Sequence, residues 1–560
     1  MKKNLIFILA VLITTTQIKA QFNLAWAKSL QGSQNQIGTS VATDASGNVY
    51  SVGTFSDTSD LDPTAVTQTV IPNGTYGDDV YVVKQSSNGS LIWAKSFGGT
   101  SMDHPASVAV DNSGNIYISG WYYGSSDLDP SASTYSVSGS GVEVFILKLD
   151  ASGNFVWGKS MGSSNDDEVV SMCIDAAGNV YTTGTFKGTM DFDPGLGSYL
   201  LTPSGSPDVF VSKLDANGDF VWAASIGGFG FDDAKGICVD ALSNVYLTGG
   251  FDGVADFDPS ASSYTLSSID QTDAFVCKLN SNGSFAWAAQ FGGTQWQEGY
   301  SVAVDANNVY IAGEFSNTVD FDPGNGTFNI SNPPNAGSNF AVKLSNTGNF
   351  VWAKAIIAVP GNPTAAEDIL LGSDGNVYWT GRYYNTLDFD PGAGTYNLTG
   401  TGYDTYLLVL DSSGNFVKAA TFPYYWNSFV VNASAEIILT GSFAGSPDFD
   451  PSVSAFNISS TGGADACIVK LNQIPMGLNE GNFEQQLISI YPNPNAGDFV
   501  INAPAGSQVR IINALGKEVS TFITSNDQQK IQLNECKSGI YFLMMKINGK
   551  QSCQKFVIAN

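Results

Sequence analysis

Histidine is almost absent from this 560-residue chain, His104 being the only one. That excludes a metal centre built on several imidazoles and leaves a nucleophilic serine one conceivable partner. Basic residues are also scarce, 24 against 51 acidic ones for a net charge of −27. A phosphate backbone or an anionic membrane surface finds no basic face to hold, so nucleic acid is excluded as a main partner. The 6 cysteines are too few for a disulfide scaffold. Cys173 and Cys238 fall at one repeat position, Ser-Met-Cys-Ile-Asp and Gly-Ile-Cys-Val-Asp, where other repeats carry Ala. This predicts buried free thiols, with a bridge left open only for Cys536 and Cys553. No amphipathic helix is visible, and past residue 20 no run is apolar enough to span a bilayer, so no membrane-spanning segment is expected.

What is present points outside the cell. Lys2 and Lys3, an apolar run from Leu5 to Ile13 and small or polar residues up to Ala20 read as a signal peptide over 1–20, cut between Ala20 and Gln21. No cysteine follows that cut, so no lipid anchor is expected. Glycine (60 residues) and aromatics (12%) are abundant while only 13% of residues are charged, the composition of an all-β extracellular protein.

The strongest pattern is a repeat. Asp-x-Asp-Pro recurs seven times, its prolines at Pro63, Pro130, Pro194, Pro259, Pro323, Pro391 and Pro451. A period near 65 residues that carries short β segments implies a stack of small sheets burying one another's faces. Each repeat holds two hairpins. One runs from Ser107 to Gly120 around an Asp-x-x-Gly-Asn turn, and the other from Val209 to Ala224 with Gly218 at its turn. The four strands are A (Val-Ala-Val), B (Val-Tyr), C (Phe-Val-x-Lys-Leu) and D (Phe-Val-Trp).

Counting strands predicts the topology. The D strand follows a C strand six times, marked by Trp93, Trp157, Trp222, Trp287, Trp352 and Lys418, and occurs once alone around Trp26 before any A strand. The last C strand, Ala466 to Leu471, has no D strand after it. The two irregularities fit if the ends meet, giving a seven-bladed β-propeller over 21–472 closed by the N-terminal strand, with an open solenoid as the alternative. Tight Gly turns trim one face. The D-to-A and B-to-C connections emerge on the other, where the acidic loops are expected to converge on the ring axis.

These residues resemble a known family. Gly-Gly-x-x-x-(Asp/Glu) followed by Val-Ala-Val-Asp-x-x-Gly-Asn-Val-Tyr-x-x-Gly-x-Phe is similar to the bacterial β-propeller repeat called SBBP, over residues 22 to 471. The resemblance implies a secreted or surface location and no shared catalytic residues. The seventh repeat departs from it, since Asn432-Ala433-Ser434-Ala435 lacks the turn glycine.

After a polar linker, 473–486, a different module occupies 487–560: about seven alternating strands that predict a small immunoglobulin-like β-sandwich. Tyr491-Pro492-Asn493-Pro494, Leu515-Gly516-Lys517, Ser538-Gly539-Ile540-Tyr541 and a basic final strand at Lys555 resemble the type A C-terminal sorting domain of the type IX secretion system of Bacteroidetes. That resemblance implies the type IX machinery as partner. It also implies export through the periplasm and a protein either secreted or attached to the outer-membrane surface.

Candidate chemistry is sparse. The pairs Asp60 and Asp62, Asp127 and Asp129, Asp191 and Asp193, Asp256 and Asp258, Asp320 and Asp322, Asp388 and Asp390, and Asp448 and Asp450 each place two carboxylates on one side of an extended segment. Ca²⁺ is a conceivable ligand. It takes six to eight oxygens, however, and aspartate before proline is a favoured turn device, so capping is the preferred reading and no cofactor is otherwise implied. His104 lies beside Asp103, but its position is taken by Glu168, Asp233, Glu298 and Glu367 in other repeats, which marks a polar loop position. Trp121, Trp296 and Arg382 break the repeat where neighbours are small or acidic, and with His104 they are the candidate contacts for a glycan or surface-protein ligand. The expected function is a secreted or cell-surface, non-catalytic binding or scaffold protein. The alternative is a polysaccharide-degrading enzyme using acidic residues on the long-loop face.

Overall fold

The alternation in each hairpin becomes antiparallel strands throughout the computed structural model, with no helix among the described residues. The structure describes residues 22–62, 67–74, 77–205, 207–334, 336–362, 364–452, 454–473 and 489–559, the last with breaks at 492, 494, 496, 503–504, 514–516, 527, 534–536 and 548–549. The signal sequence with Ala20 and Gln21, the linker past residue 473, Pro492, Pro494, Gly516 and the Cys536–Cys553 pair therefore lie outside the described residues or side chains. The described residues fall into two compact units, one within Lys19–Ile474 and one within Pro475–Asn560.

In the large unit the pairing A to B to C to D recurs in seven sheets. In the third it joins Glu168–Ile174, Val180–Phe186, Asp208–Leu214 and Phe220–Gly228. In the seventh, Tyr425–Val431, Ile437–Phe443 and Asp465–Gln473 receive their fourth strand, Phe22–Gly32, from the start of the chain. Phe22 pairs with Gln473, Trp26 with Lys470 and Leu30 with Ala466.

Aspartate builds the A-to-B turns. Asp44 Oδ1 accepts the Ser46 and Asn48 N–H groups, both at 2.9 Å, while Oδ2 accepts the Asn48 amide (2.8 Å) and the Tyr50 hydroxyl (3.0 Å). The same cage surrounds Asp175 and Asp240. Burial pushes these carboxyls up, and the donated hydrogen bonds outweigh it, holding them below the usual range. Gly47 sits at φ 76°, and Ala435 takes the equivalent left-handed position at φ 58° in the seventh sheet, a conformation that costs a residue with a Cβ.

The core lies between sheets. One cluster joins Tyr50, Val52, Val80 and Val82 of the first sheet to Val108, Ile118, Phe145 and Leu147 of the second. Each marker tryptophan reaches the next sheet's C-to-D turn. The indoles of Trp93, Trp157, Trp222, Trp287 and Trp352 donate to the carbonyls of Ala151, Ala216, Ser281, Asn346 and Ser412 at 3.1–3.4 Å. Trp26, on the N-terminal strand, does the same to Ser87 at 3.1 Å, and Lys470 Nζ joins it at 3.2 Å. The exception explains itself. The seventh sheet has no C-to-D turn for a sixth-sheet tryptophan to cap, and Lys418 instead bonds Gln473 Oε1 at 2.6 Å and lies over the Phe22 ring.

The Asp-x-Asp-Pro segments do not converge on an axis. Each leads a short excursion between B and C that, in four sheets, pairs with the outer D strand of the preceding sheet, as Gly98 with Asp127, Gly227 with Asp256 and Gly292 with Asp320. At the chain ends the same staple joins Gln31 to Asp60. The residue between the two aspartates, Leu61, Leu128, Phe192, Phe257, Phe321, Phe389 or Phe449, is fully buried.

The small unit has a three-stranded sheet, Ser489–Tyr491, Asp498–Asn502 and Gln528–Gln532, and a four-stranded sheet, Gln508–Asn513, Glu518–Ile523, Gly539–Ile547 and Lys550–Ile558. Phe499, Ile501 and Ile531 of the first share one apolar cluster with Val509, Ile511, Leu543 and Phe556 of the second, the face-to-face packing of a sandwich.

Candidate functional site at the bulged A strands

All seven A strands carry a one-residue bulge at the same place, shown by the register shifts after Gly38, Pro105, Val169, Ala234, Gly299, Ala366 and Trp426. A bulge re-aims the side chain of the extra residue. Those residues, Thr39, Ala106, Val170, Lys235, Tyr300, Glu367 and Asn427, all line one cavity of about 640 Å³ to which every A strand contributes. The first three are neutral and small. The last four are polar or charged, so the lining is asymmetric.

The charged half has its own cavity of about 370 Å³, the mouth, lined by Tyr300, Glu314, Ala365, Ala366, Glu367, Arg382 and Asn427. Lys235 Nζ bridges Asp233 (2.7 Å) and Glu298 (3.2 Å), whose side chains are only 9% and 8% exposed. Arg382 pairs with Glu367 and lies over the Tyr425 ring (5.0 Å) and the Tyr403 ring (5.9 Å). Glu314 Oε1 accepts the Ala366 N–H at 3.0 Å. Burial pushes Glu314 up to about 8, with Glu298 and Glu367 adding repulsion against that hydrogen bond. Burial raises Glu367 to about 7 although Arg382 opposes the shift. Burial and Asp233 raise Glu298 against Lys235. Burial works to lower Lys235, but Asp233 and Glu298 hold its ammonium above the ordinary value. The arrangement can hold protons near neutral pH and can present carboxylates beside aromatic faces.

The four sequence candidates separate into two places. Arg382 belongs to the charged half, and Trp296 stands beside it, edge-on to Tyr300 at 6.5 Å. His104 and Trp121 face each other across the second sheet, their rings stacked at 4.4 Å and 10°. His104 Nε2 lies 3.7 Å from Asp78, and burial keeps its imidazole below its ordinary value while Asp78 works the other way. The pairing register corrects one equivalence. Ala365, not Glu367, occupies the place of Glu298, and Glu367 is the bulge residue that corresponds to Tyr300. Trp121, Glu314 and Arg382 share one B-strand register, opposite His104, Glu298 and Ala365. Sequence reasoning passed over Glu314, Tyr300, Tyr403 and Tyr425. Aligning the repeats on the bulge would have exposed the first two.

The paired aspartates have definite local work. The first of each pair accepts through Oδ1 the N–H two residues on and the N–H eight residues on, in all seven excursions, as Asp256 does from Asp258 (3.1 Å) and Tyr264 (2.9 Å). The second accepts two residues further, as Asp129 from Ser131, Asp193 from Gly195, Asp322 from Gly324, Asp390 from Gly392 and Asp450 from Ser452. In the small unit, Asn493 Oδ1 accepts the Val557 N–H at 2.8 Å, which ties the segment after Tyr491 to the strand that carries Lys555. Tyr491 is 76% exposed, whereas Tyr541 is buried with its hydroxyl donating to Lys537 O. Gly539 opens the strand that pairs with Lys550–Ile558.

Residues 489–559 match the family described as the secretion system C-terminal sorting domain. The chain is therefore exported, to the medium or the outer-membrane surface, by the type IX system. No helix among the described residues is long and apolar enough to cross a membrane. Two curated relatives are similar. An uncharacterized WD repeat-containing protein of Acanthamoeba polyphaga mimivirus is 27% identical over 275 residues, 43% of this chain, and the regulatory protein FlaEY of Caulobacter vibrioides is 28% identical over 198 residues, 35% of this chain. The chain spans about a fifth of the length of each, 20% and 19%. A solved member of the duf4221 family from Bacteroides vulgatus is 9% identical, covering 82% of this chain and 100% of its own, with a TM-score of 0.31, a likeness that carries no argument.

Proposed function

We propose that residues 21–472 form a seven-bladed β-propeller of the SBBP kind, closed by its N-terminal strand, which acts after export as a non-catalytic binding or scaffold module. Closure is supported by Trp26 and Lys470 meeting Ser87, and by the Asn427 amide donating to Gly38 O at 2.8 Å, contacts that join the first and seventh sheets. The ligand site is the charged half of the channel mouth. The observation that carries this reading is the clustering of Lys235, Tyr300, Glu367 and Asn427 on four successive bulges around a cavity, while the repeated aspartates cap turns. Carboxylates, an arginine and tyrosine faces suit a glycan or a polar protein surface.

A second reading has one observation behind it. Burial raises Glu314 to about 8 and Glu367 to about 7 against Arg382, the direction in which the general acid of a glycoside hydrolase is shifted. A panel of polysaccharides incubated with the mature chain separates the two. Binding without release of reducing ends is the expected result, and turnover abolished by Glu314→Gln or Glu367→Gln would establish the enzyme.

A further inference from the structure

Beside the mouth stands a group of tyrosines. Tyr384 of the sixth B strand pairs with Tyr403 of the C strand, and their rings stack at 4.5 Å and 15°. Tyr425, on the seventh A strand, stands edge-on to Tyr403 at 6.5 Å and 66°. Arg382, which lines the mouth, lies over both Tyr403 and Tyr425 and so joins the rings to the cavity. Tyr384 is 39% exposed and Tyr425 44%.

The backbone holds these rings in place. In the third sheet the B strand stops at Phe186, and the excursion begins a separate strand at Met190. In the sixth the strand runs unbroken over Val377–Asp388. Its pairing reaches Tyr384 with Tyr403 and resumes at Thr386 with Thr399, whose hydroxyls bond at 2.7 Å. Asp404 Oδ2 accepts the Thr401 N–H at 2.9 Å, which ties the turn before Tyr403. A cross-strand pair on such a ladder is preorganised, so a ligand does not have to order it.

Packing between sheets does not require the rings. Where the first and second sheets meet, the same three places hold Ser56, Asp78 and His104, and between the fourth and fifth they hold Asp252, Thr272 and Glu298. Only where the sixth meets the seventh are all three aromatic. Exposed tyrosines that the repeat does not call for, beside a cavity, suit recognition.

Their chemistry selects a ligand. A ring face attracts the slightly positive C–H groups on one side of a pyranose, while carboxylates and a guanidinium bond its hydroxyls. A stable protein partner buries about 800 Å² on each side, far more than three partly exposed rings supply. The cavity of about 370 Å³ is instead the size of a small-ligand pocket. Glu298, Glu314 and Glu367, on a chain of net charge −27, disfavour a polyanion. On the binding role of the mouth, which this inference assumes, we propose that mouth and tyrosines together bind the end of a neutral glycan. The terminal sugar enters the cavity beside Arg382 and Glu367, and the sugars that follow stack on the tyrosines.

The test is calorimetric titration of the mature chain with neutral cello-, xylo-, manno- and N-acetylchito-hexasaccharides and with an anionic oligoalginate. Binding of at least one neutral oligosaccharide and not of the alginate is expected. Tyr384→Ala and Tyr425→Ala should each weaken that binding about tenfold, whereas Tyr384→Phe, which keeps the ring, should stay within about twofold. Both tyrosines are well exposed, so thermal melting should show the variants folded. Binding of none of the neutral oligosaccharides, binding of the alginate alone, or equal binding by parent and alanine variants would overturn the inference. The binding role of the mouth fails separately. A surface protein whose capture is lost in Glu367→Gln/Arg382→Ala and kept in Tyr384→Ala would leave that role standing and refute the glycan, whereas a glycan bound undiminished by the mouth variant would refute both.

Discussion

The chain uses carboxylates in two ways, and the contrast between the Asp-x-Asp-Pro excursions and the mouth of the charged cavity separates architecture from site. In the excursions the side chain is short, the pattern repeats seven times, and the oxygens accept backbone N–H groups at fixed offsets. At the mouth the side chains are longer, the pattern does not repeat, and Glu298, Glu314 and Glu367 face one another, Lys235 and Arg382. Repetition marks what every sheet needs. Departure from it marks what one region of the molecule does.

The largest effect should come from breaking the architecture where it depends on the chain end. Deleting Gln21 to Leu30 removes the fully buried Phe22 and Leu30 and the Trp26 contact, at a cost of roughly several kcal/mol. A melting temperature within a degree or two of the intact chain would contradict closure by this strand. A single excursion should matter less. Asp256→Ala orphans the Asp258 and Tyr264 N–H groups and should cost about 1–2 kcal/mol, whereas Asp256→Asn keeps Oδ1 and should be nearly neutral by denaturant melting.

The mouth should respond to pH instead. Because Glu314 is raised above 4.5 to about 8 in the folded chain, folding holds its proton more tightly than unfolding does. Its contribution is therefore most favourable below about pH 4.5 and is lost as pH rises towards about 8. Glu314→Gln should flatten that decline, stabilising the protein at pH 8 relative to the parent and changing little at pH 4, as read by thermal melting at both pH values. Arg382→Ala should have a smaller effect on stability, confined to neutral and higher pH, since Glu367 loses the guanidinium that opposes its upward shift. Smallest of all should be Trp121→Ala, which removes a half-buried ring stacked on His104 and is expected to alter melting by no more than about 1 kcal/mol.

Much of the architecture was legible because it repeats. The Asp-x-x-Gly-Asn turns, the strand order A to D, and the orphan D strand around Trp26 each appear in the pairing as read. Lys418 looked like an irregularity in sequence. In the structure it follows from the missing C-to-D turn of the seventh sheet. The direction of the acidic excursions was not legible, because nothing in Asp-x-Asp-Pro tells whether the loop turns towards the A strands or back onto a neighbour's D strand. The site was half legible. Arg382 and Trp121 stood out as departures from a small residue, but Glu314 in the same register passed as one acid among 51 acidic residues. Tyr300 and Glu367 were hidden because a bulge shifts the count by one, and the shift is visible only in the pairing.

One comparison tests the central claim most directly: a glycan and surface-protein array probed in parallel with the mature chain, its Glu367→Gln/Arg382→Ala variant and its Asp256→Asn variant. The account predicts a ligand bound by the parent and by Asp256→Asn and lost by the mouth variant with its fold intact. Undiminished binding by the mouth variant, or binding lost only in Asp256→Asn, would contradict it.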